Sequence, residues 1–170
     1  MPVTPRGPSG SSRTRARGPK DPVSCILLRM PKRKKTLLWL VGIFFAAQLV
    51  PIDRENPPVE TEVPAPPEVR AVLERSCYDC HSNESRWPWY GYVAPTSWLV
   101  AYDIAEARDH LNFSTWNRYD EDEQVDLIED AWEEVEEGEM PLFFYLPLHP
   151  SARLDEADRA VLENWAEDAY

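Results

Sequence analysis

From residue 68 onward the apolar positions of the chain recur at three- and four-residue spacing, the period of helices lying against a core. In the first such stretch Val69, Val72, Leu73, Ser76, Cys77 and Cys80 share one face, which turns both thiols inward. The second, from about Thr96 to His110, opens on the start signal Pro95-Thr96-Ser97 and carries Trp98, Leu99, Tyr102 and Ala105 on its apolar side. The third, from about Glu121 to Glu137, has Val125, Ile128, Trp132 and Val135 on one stripe opposite an almost wholly acidic face, and it stops at Gly138. The fourth starts at Asp155, whose carboxylate suits a helix N-cap, and continues through Val161, Leu162, Trp165 and Ala166. Period-two alternation, the mark of a strand, is almost absent. The pattern predicts one small all-α domain over residues 68–170, with long loops.

Upstream the pattern changes three times. Residues 1–29, rich in Arg, Pro, Ser and Gly, have no apolar period and read as a disordered extension, with Met30 as an alternative start. Residues 30–52 join a basic block, Lys32-Arg33-Lys34-Lys35, to an apolar run from Leu37 to Val50, which is the layout of an export signal or membrane anchor. The run is short: with Ile52 it reaches about 16 or 17 residues, near the lower limit for a span. No clean small-residue cleavage site follows, Phe45-Ala46-Ala47 being the nearest, so an uncleaved anchor is the expectation and a cleaved signal the alternative. Residues 53–67 hold five prolines and predict an extended spacer of up to roughly 45 Å at about 3.1 Å per residue.

Charge divides the chain at the same place. Residues 1–52 hold ten basic side chains and one acidic one, whereas residues 53–170 hold eight basic against 29 acidic, a net charge of −21. A domain that acidic repels nucleic acid and anionic lipid, and its expected partners are proteins with a basic docking patch. The membrane is met through the N-terminal helix. In a bacterium this layout leaves the C-terminal domain in the periplasm, on the inner membrane or free after cleavage.

The chemistry lies in Cys77-Tyr78-Asp79-Cys80-His81, a C-x-x-C-H sequence. Two cysteines three apart on one turn can each form a thioether with a haem vinyl group, and the following histidine is then placed to bind the iron. A thiol-disulfide pair usually opens a helix beside strands, which this one does not. A zinc site needs a second close pair of ligands, and His110 and His149 stand alone. The third cysteine, Cys25, has no such relation. For the sixth iron ligand Met140 is the leading candidate: in Gly138-Glu139-Met140-Pro141 it follows a helix stop, where a loop can carry a thioether over the far haem face. His149, before Pro150, is the alternative; His110 reads as a capping or surface residue. Arg86-Trp87-Pro88-Trp89-Tyr90-Gly91-Tyr92 supplies rings to cover the haem or fill the core, and Arg86 suits a haem propionate.

Beyond that motif, the blocks Cys77 to Glu84, Arg86-Trp87-Pro88-Trp89-Tyr90, Ala94-Pro95, Leu111-Asn112-Phe113-Ser114, Gly138-Glu139-Met140-Pro141 and His149-Pro150-Ser151-Ala152-Arg153-Leu154 together resemble the haem-binding-domain family of short, N-terminally anchored bacterial c-type cytochromes, over about residues 36–168. The resemblance implies one covalent haem c in a helical, cytochrome c-like fold. Both Met140 and His149 fall within its blocks. The expected role is electron transfer without catalysis of a reaction; a haem-based sensor or small-ligand binder with a labile sixth ligand is the alternative, and a peroxidase a more distant one, since about 100 residues leave little room for a separate substrate pocket.

Overall fold

The computed structural model describes residues 31–169, so the expectations for residues 1–29, Met30 and Cys25 lie outside the described residues. Six α-helices occur among them: α1 Lys32–Ala47, α2 Pro67–Ser76, α3 Tyr78–His81, α4 Thr96–His110, α5 Glu121–Glu137 and α6 Glu156–Glu167. Short 3₁₀ turns at Trp89–Tyr92, Trp116–Arg118 and Pro150–Ala152 link them, and the extended backbone amounts to a lone parallel bridge between Thr61 and Thr115. The all-α expectation holds.

The chain divides into two units at Ala46. The first contains α1, whose 16 residues rise about 24 Å, short of a hydrocarbon core of about 30 Å. No helix among the described residues is long and apolar enough to cross a membrane. The apolar run does not continue as helix to Ile52, because the residue before Pro51 is pushed out of the helical region and the chain turns at residues 48–50.

The second unit is built on α2, α5 and α6. Pro67 opens α2 at a position where its missing N–H costs nothing, and Val69, Val72 and Leu73 bury the face the spacing predicts. Helix α5 begins in a reciprocal capping box: Glu123 N–H donates to the Asp120 carboxylate at 2.9 Å and Asp120 N–H to the Glu123 carboxylate at 3.0 Å. It ends at Gly138, whose φ of 81° is the left-handed conformation that glycine adopts without a Cβ clash. Helix α6 starts in a second capping box between Asp155 and Asp158. The predicted stripes of both helices, Ile128, Trp132 and Val135 against Val161, Leu162 and Trp165, meet in the core with Phe113, Trp116 and Tyr78.

Two expectations are corrected. The proline-rich residues 53–67 are not a free spacer but part of the domain. Val63 is 1 % exposed and its N–H donates to Phe113 O at 3.0 Å, while Glu60 N–H and Thr61 N–H donate to Ser114 O and Trp116 N–H to Thr61 O. Proline favours extended backbone, and extended backbone is what lies beside residues 113–116 and satisfies their polar groups. In α4 the buried side chains are Ser97 and Ile104, whereas Trp98, Tyr102 and Ala105 are exposed and Leu99, half-exposed, borders the cavity described below. Residues 98–102 are apolar all round the helix, so their spacing has no phase to indicate which side turns inward.

Candidate functional site

The C-x-x-C-H segment sits at the break between α2 and α3. The expected continuous helix stops at Cys77, whose φ of −121° leaves the helical region, and restarts as the single turn Tyr78–His81. Cys80 N–H and His81 N–H both return to Cys77 O, at 3.1 and 2.9 Å, so the two thiols and the imidazole are carried on one closed turn. Tyr78, between them, is buried and stacks on Phe113 at a centroid distance of 5.6 Å. Position x of the motif gave no reason to expect this core role.

His81 is oriented by a backbone acceptor. Its Nδ1 lies 3.1 Å from Leu111 O, and a carbonyl can only accept, so Nδ1 carries the proton and Nε2 keeps its lone pair. Burial holds the imidazole below its ordinary pKa and so keeps it neutral, the state in which it binds a metal.

A polar network anchors this turn. Phe113 N–H donates to His81 O at 2.9 Å, Asn83 N–H to Ser114 Oγ at 2.9 Å, and Asn112 Nδ2 to Asn83 Oδ1 at 2.9 Å, while Asn83 Nδ2 reaches Pro58 O at 2.8 Å. Ser82, Asn83, Asn112 and Ser114 are all buried. Residues 82–84 and 111–114, thirty positions apart, are therefore one structure, and its function is to fix the turn that carries Cys77, Cys80 and His81.

These three residues line a cavity of about 990 Å³ whose walls come from α4, α5 and α6, including Leu99, Ile104, Trp132 and Leu162. Met140 lines the same cavity. It follows the α5 stop, its N–H returns to Glu134 O at 3.0 Å, and its peptide bond to Pro141 is cis. His110 also lines the cavity, from the exposed end of α4. His149 does not line it. Its ring stacks on Tyr145 at 3.8 Å, meets Tyr90 edge-on, and its Nδ1 lies 3.1 Å from Tyr145 O.

The motif model of the haem-binding domain matches residues 42–168. This chain belongs to the haem-binding-domain family. No curated protein and no solved structure matches it.

A haem-binding domain needs an apolar cavity of porphyrin size with a residue on its wall that is able to bind iron, and this cavity, lined by His81, meets both needs. Ser76 Oγ, on the same wall, is buried without a hydrogen-bond partner among the described residues, a polar atom in want of a ligand. Cys77, Cys80 and His81 are the residues that would hold the group. The competing uses of the cysteines fare worse. Burial pushes the Cys77 thiol up to about 12, and burial with the nearby Asp79 charge pushes Cys80 up to about 11, the reverse of the acidic thiol that disulfide exchange employs. Among the described residues no three of His, Cys, Asp and Glu converge as a metal ion would require.

One residue of this site was missed from the sequence. The Asp79 carboxylate accepts from Tyr145 OH at 3.0 Å and from Arg86 N–H at 3.2 Å, and forms an ion pair with the Arg86 guanidinium at 3.3 Å. It thus ties the loop after Met140 to the turn that carries Cys77, Cys80 and His81. Arg86, expected to serve a propionate, lines the cavity but is engaged with Asp79 and Glu74 O.

Proposed function

We propose that this haem-binding domain is a mono-haem c-type cytochrome that passes electrons between protein partners and is not itself an enzyme. The observation that carries the reading is the meeting, on one cavity wall, of two free thiols and an imidazole whose Nε2 is left available by the bond from Nδ1 to Leu111 O. Cys77 and Cys80 would hold the haem through thioethers, the addition of each S–H to a vinyl group needing no net oxidation. Bound haem supplies a one-electron iron couple. His81 Nε2 would bind the iron. Met140 would supply a second iron ligand: it lines the cavity, whereas the ring of His149 is stacked on Tyr145, and a thioether ligand raises the potential and favours electron transfer. The acidic side chains of α5 steer a partner with a basic patch.

The basic block and apolar helix α1 lead the chain to a bacterial inner membrane, with the haem domain on the periplasmic side, where thiols meet haem outside the cytoplasm. Mass spectrometry of the denatured protein, co-expressed with a haem-attachment system, tests the covalent reading. One haem per chain is expected to stay bound, and Cys77→Ala with Cys80→Ala to release it. Complete loss of haem from the denatured wild type refutes covalent attachment.

A further inference from the structure

A charge-free face lies beside the point where the chain leaves α1. No charged side chain occurs in residues 87–102, although 28 % of the chain is Asp, Glu, Lys or Arg. Within this window Tyr92 and Tyr102 are each 60 % exposed and Trp98 is 40 % exposed, and none of the three lines the haem cavity. Trp98 and Tyr102 are four apart on α4 and share a face, and the turn carrying Tyr92 packs against that helix.

The same face holds the chain that follows α1. Ala47 ends α1, and the next residue, Gln48, is fastened to the backbone of Ala94 by two bonds, Gln48 Nε2 donating to Ala94 O at 3.2 Å and Ala94 N–H donating to Gln48 Oε1 at 2.9 Å. Leu49 and Val50, next in line, are 83 % and 51 % exposed. Arg54 then lies over the Tyr92 ring at 4.9 Å and donates to Gly91 O at 3.1 Å. These bonds hold Gln48 and Arg54, on either side of the exposed Leu49 and Val50, against residues 91–94, which lead into the exposed Trp98 and Tyr102.

We propose that this surface, formed by Leu49, Val50, Tyr92, Trp98 and Tyr102, rests on the lipid bilayer, so that the haem domain lies against the membrane instead of standing off it. The proposal rests on the membrane attachment argued above. Tyr and Trp with apolar neighbours are the side chains that settle at a membrane–water interface, the ring in the headgroup layer and the polar atom toward water. Charge selects the side that faces lipid: the acidic remainder of the domain is costly to bring to a bilayer, whereas residues 87–102 carry no acidic group to oppose it and the Arg54 guanidinium over Tyr92 is a cation.

The test is photolabelling of the full-length, haem-loaded protein in phosphatidylcholine vesicles that contain a phosphatidylcholine with a diazirine near the headgroup end of one acyl chain. Arg86 and Arg108 bracket the face, Lys35 and Arg54 bracket the apolar run, and Arg118 and Arg153 bracket a control peptide, so trypsin separates the three. Label is expected on residues 36–54 and on residues 87–108, the latter about fivefold or more above residues 119–153, as for side chains in the interfacial layer. In Trp98→Glu/Tyr102→Glu, with the haem spectrum unchanged, label on residues 87–108 is expected to fall to the control level. Label on residues 36–54 with only control-level label on residues 87–108 overturns the proposal and leaves membrane attachment standing. Label on neither overturns the attachment and the proposal with it.

Discussion

Removing the Tyr145 hydroxyl isolates the link between the loop after Met140 and the turn that carries Cys77, Cys80 and His81. Tyr145 OH donates to Asp79 at 3.0 Å, and the Asp79 side chain is 24 % exposed. A hydrogen bond to a charged group contributes about 1.5–3 kcal/mol, and the lower end applies because water and Arg86 also reach the carboxylate. Tyr145→Phe is therefore expected to cost about 1.5 kcal/mol, which at a slope of about 1.5 kcal/mol per M moves a urea midpoint down by about 1 M. Urea unfolding of the wild type, Tyr145→Phe, Asp79→Ala and the double variant gives the coupling directly. The pH dependence is a second readout. Burial and the Asp79 charge hold the Tyr145 phenol above its ordinary pKa, so the folded state keeps a proton that the unfolded chain releases. This stabilisation is complete below about pH 10 and declines above it, so the wild type is expected to lose stability more steeply than Tyr145→Phe in that range. A coupling below about 0.3 kcal/mol, with parallel pH profiles for the two proteins, refutes the link.

Other consequences are as direct. Val63→Ala removes two methyl groups from a site 1 % exposed and is expected to cost about 2 kcal/mol in urea unfolding, where a free spacer would cost nothing. His149→Ala, which deletes a ring stacked on Tyr145 outside the cavity, is expected to leave the oxidised and reduced haem spectra unchanged. Electron transfer to a basic redox protein is expected to slow about tenfold or more between roughly 10 mM and 300 mM salt, measured by stopped flow, and a flat dependence contradicts steering by the acidic surface.

The parts of the fold written in local signals were legible before the structure. Asp120, Gly138 and Asp155 mark the ends of α5 and α6 through caps that act within one turn, and the stripes of those helices face the core as their spacing requires. Cys77, Cys80 and His81 lie on one closed turn, a closeness that the spacing of their five-residue motif already implies. What escaped depends on contacts between distant segments. Proline composition indicates that residues 53–67 are extended, but not that Val63 has a place waiting beside Phe113. Trp98 and Tyr102 turned out exposed because a helix apolar on all sides shows no inward phase. Asp79 is an unspecified position of its motif, and its partner Tyr145 is 66 residues away. Met140, the leading candidate for the sixth ligand, lines the cavity, and the ring of His149, the alternative, is stacked on Tyr145, a difference set by the fold and not by local sequence.

The central claim is that a thioether and an imidazole hold the haem iron from opposite sides, and the optical spectrum of the protein before and after Met140→Ala tests it most directly. The wild type is expected to be low-spin, with the weak far-red band of iron–methionine ligation, and the variant to lose that band. A low-spin wild type without the band, unchanged by Met140→Ala, contradicts the assignment and returns His149 to consideration; a high-spin wild type that binds carbon monoxide when reduced contradicts electron transfer and identifies a ligand-binding haem.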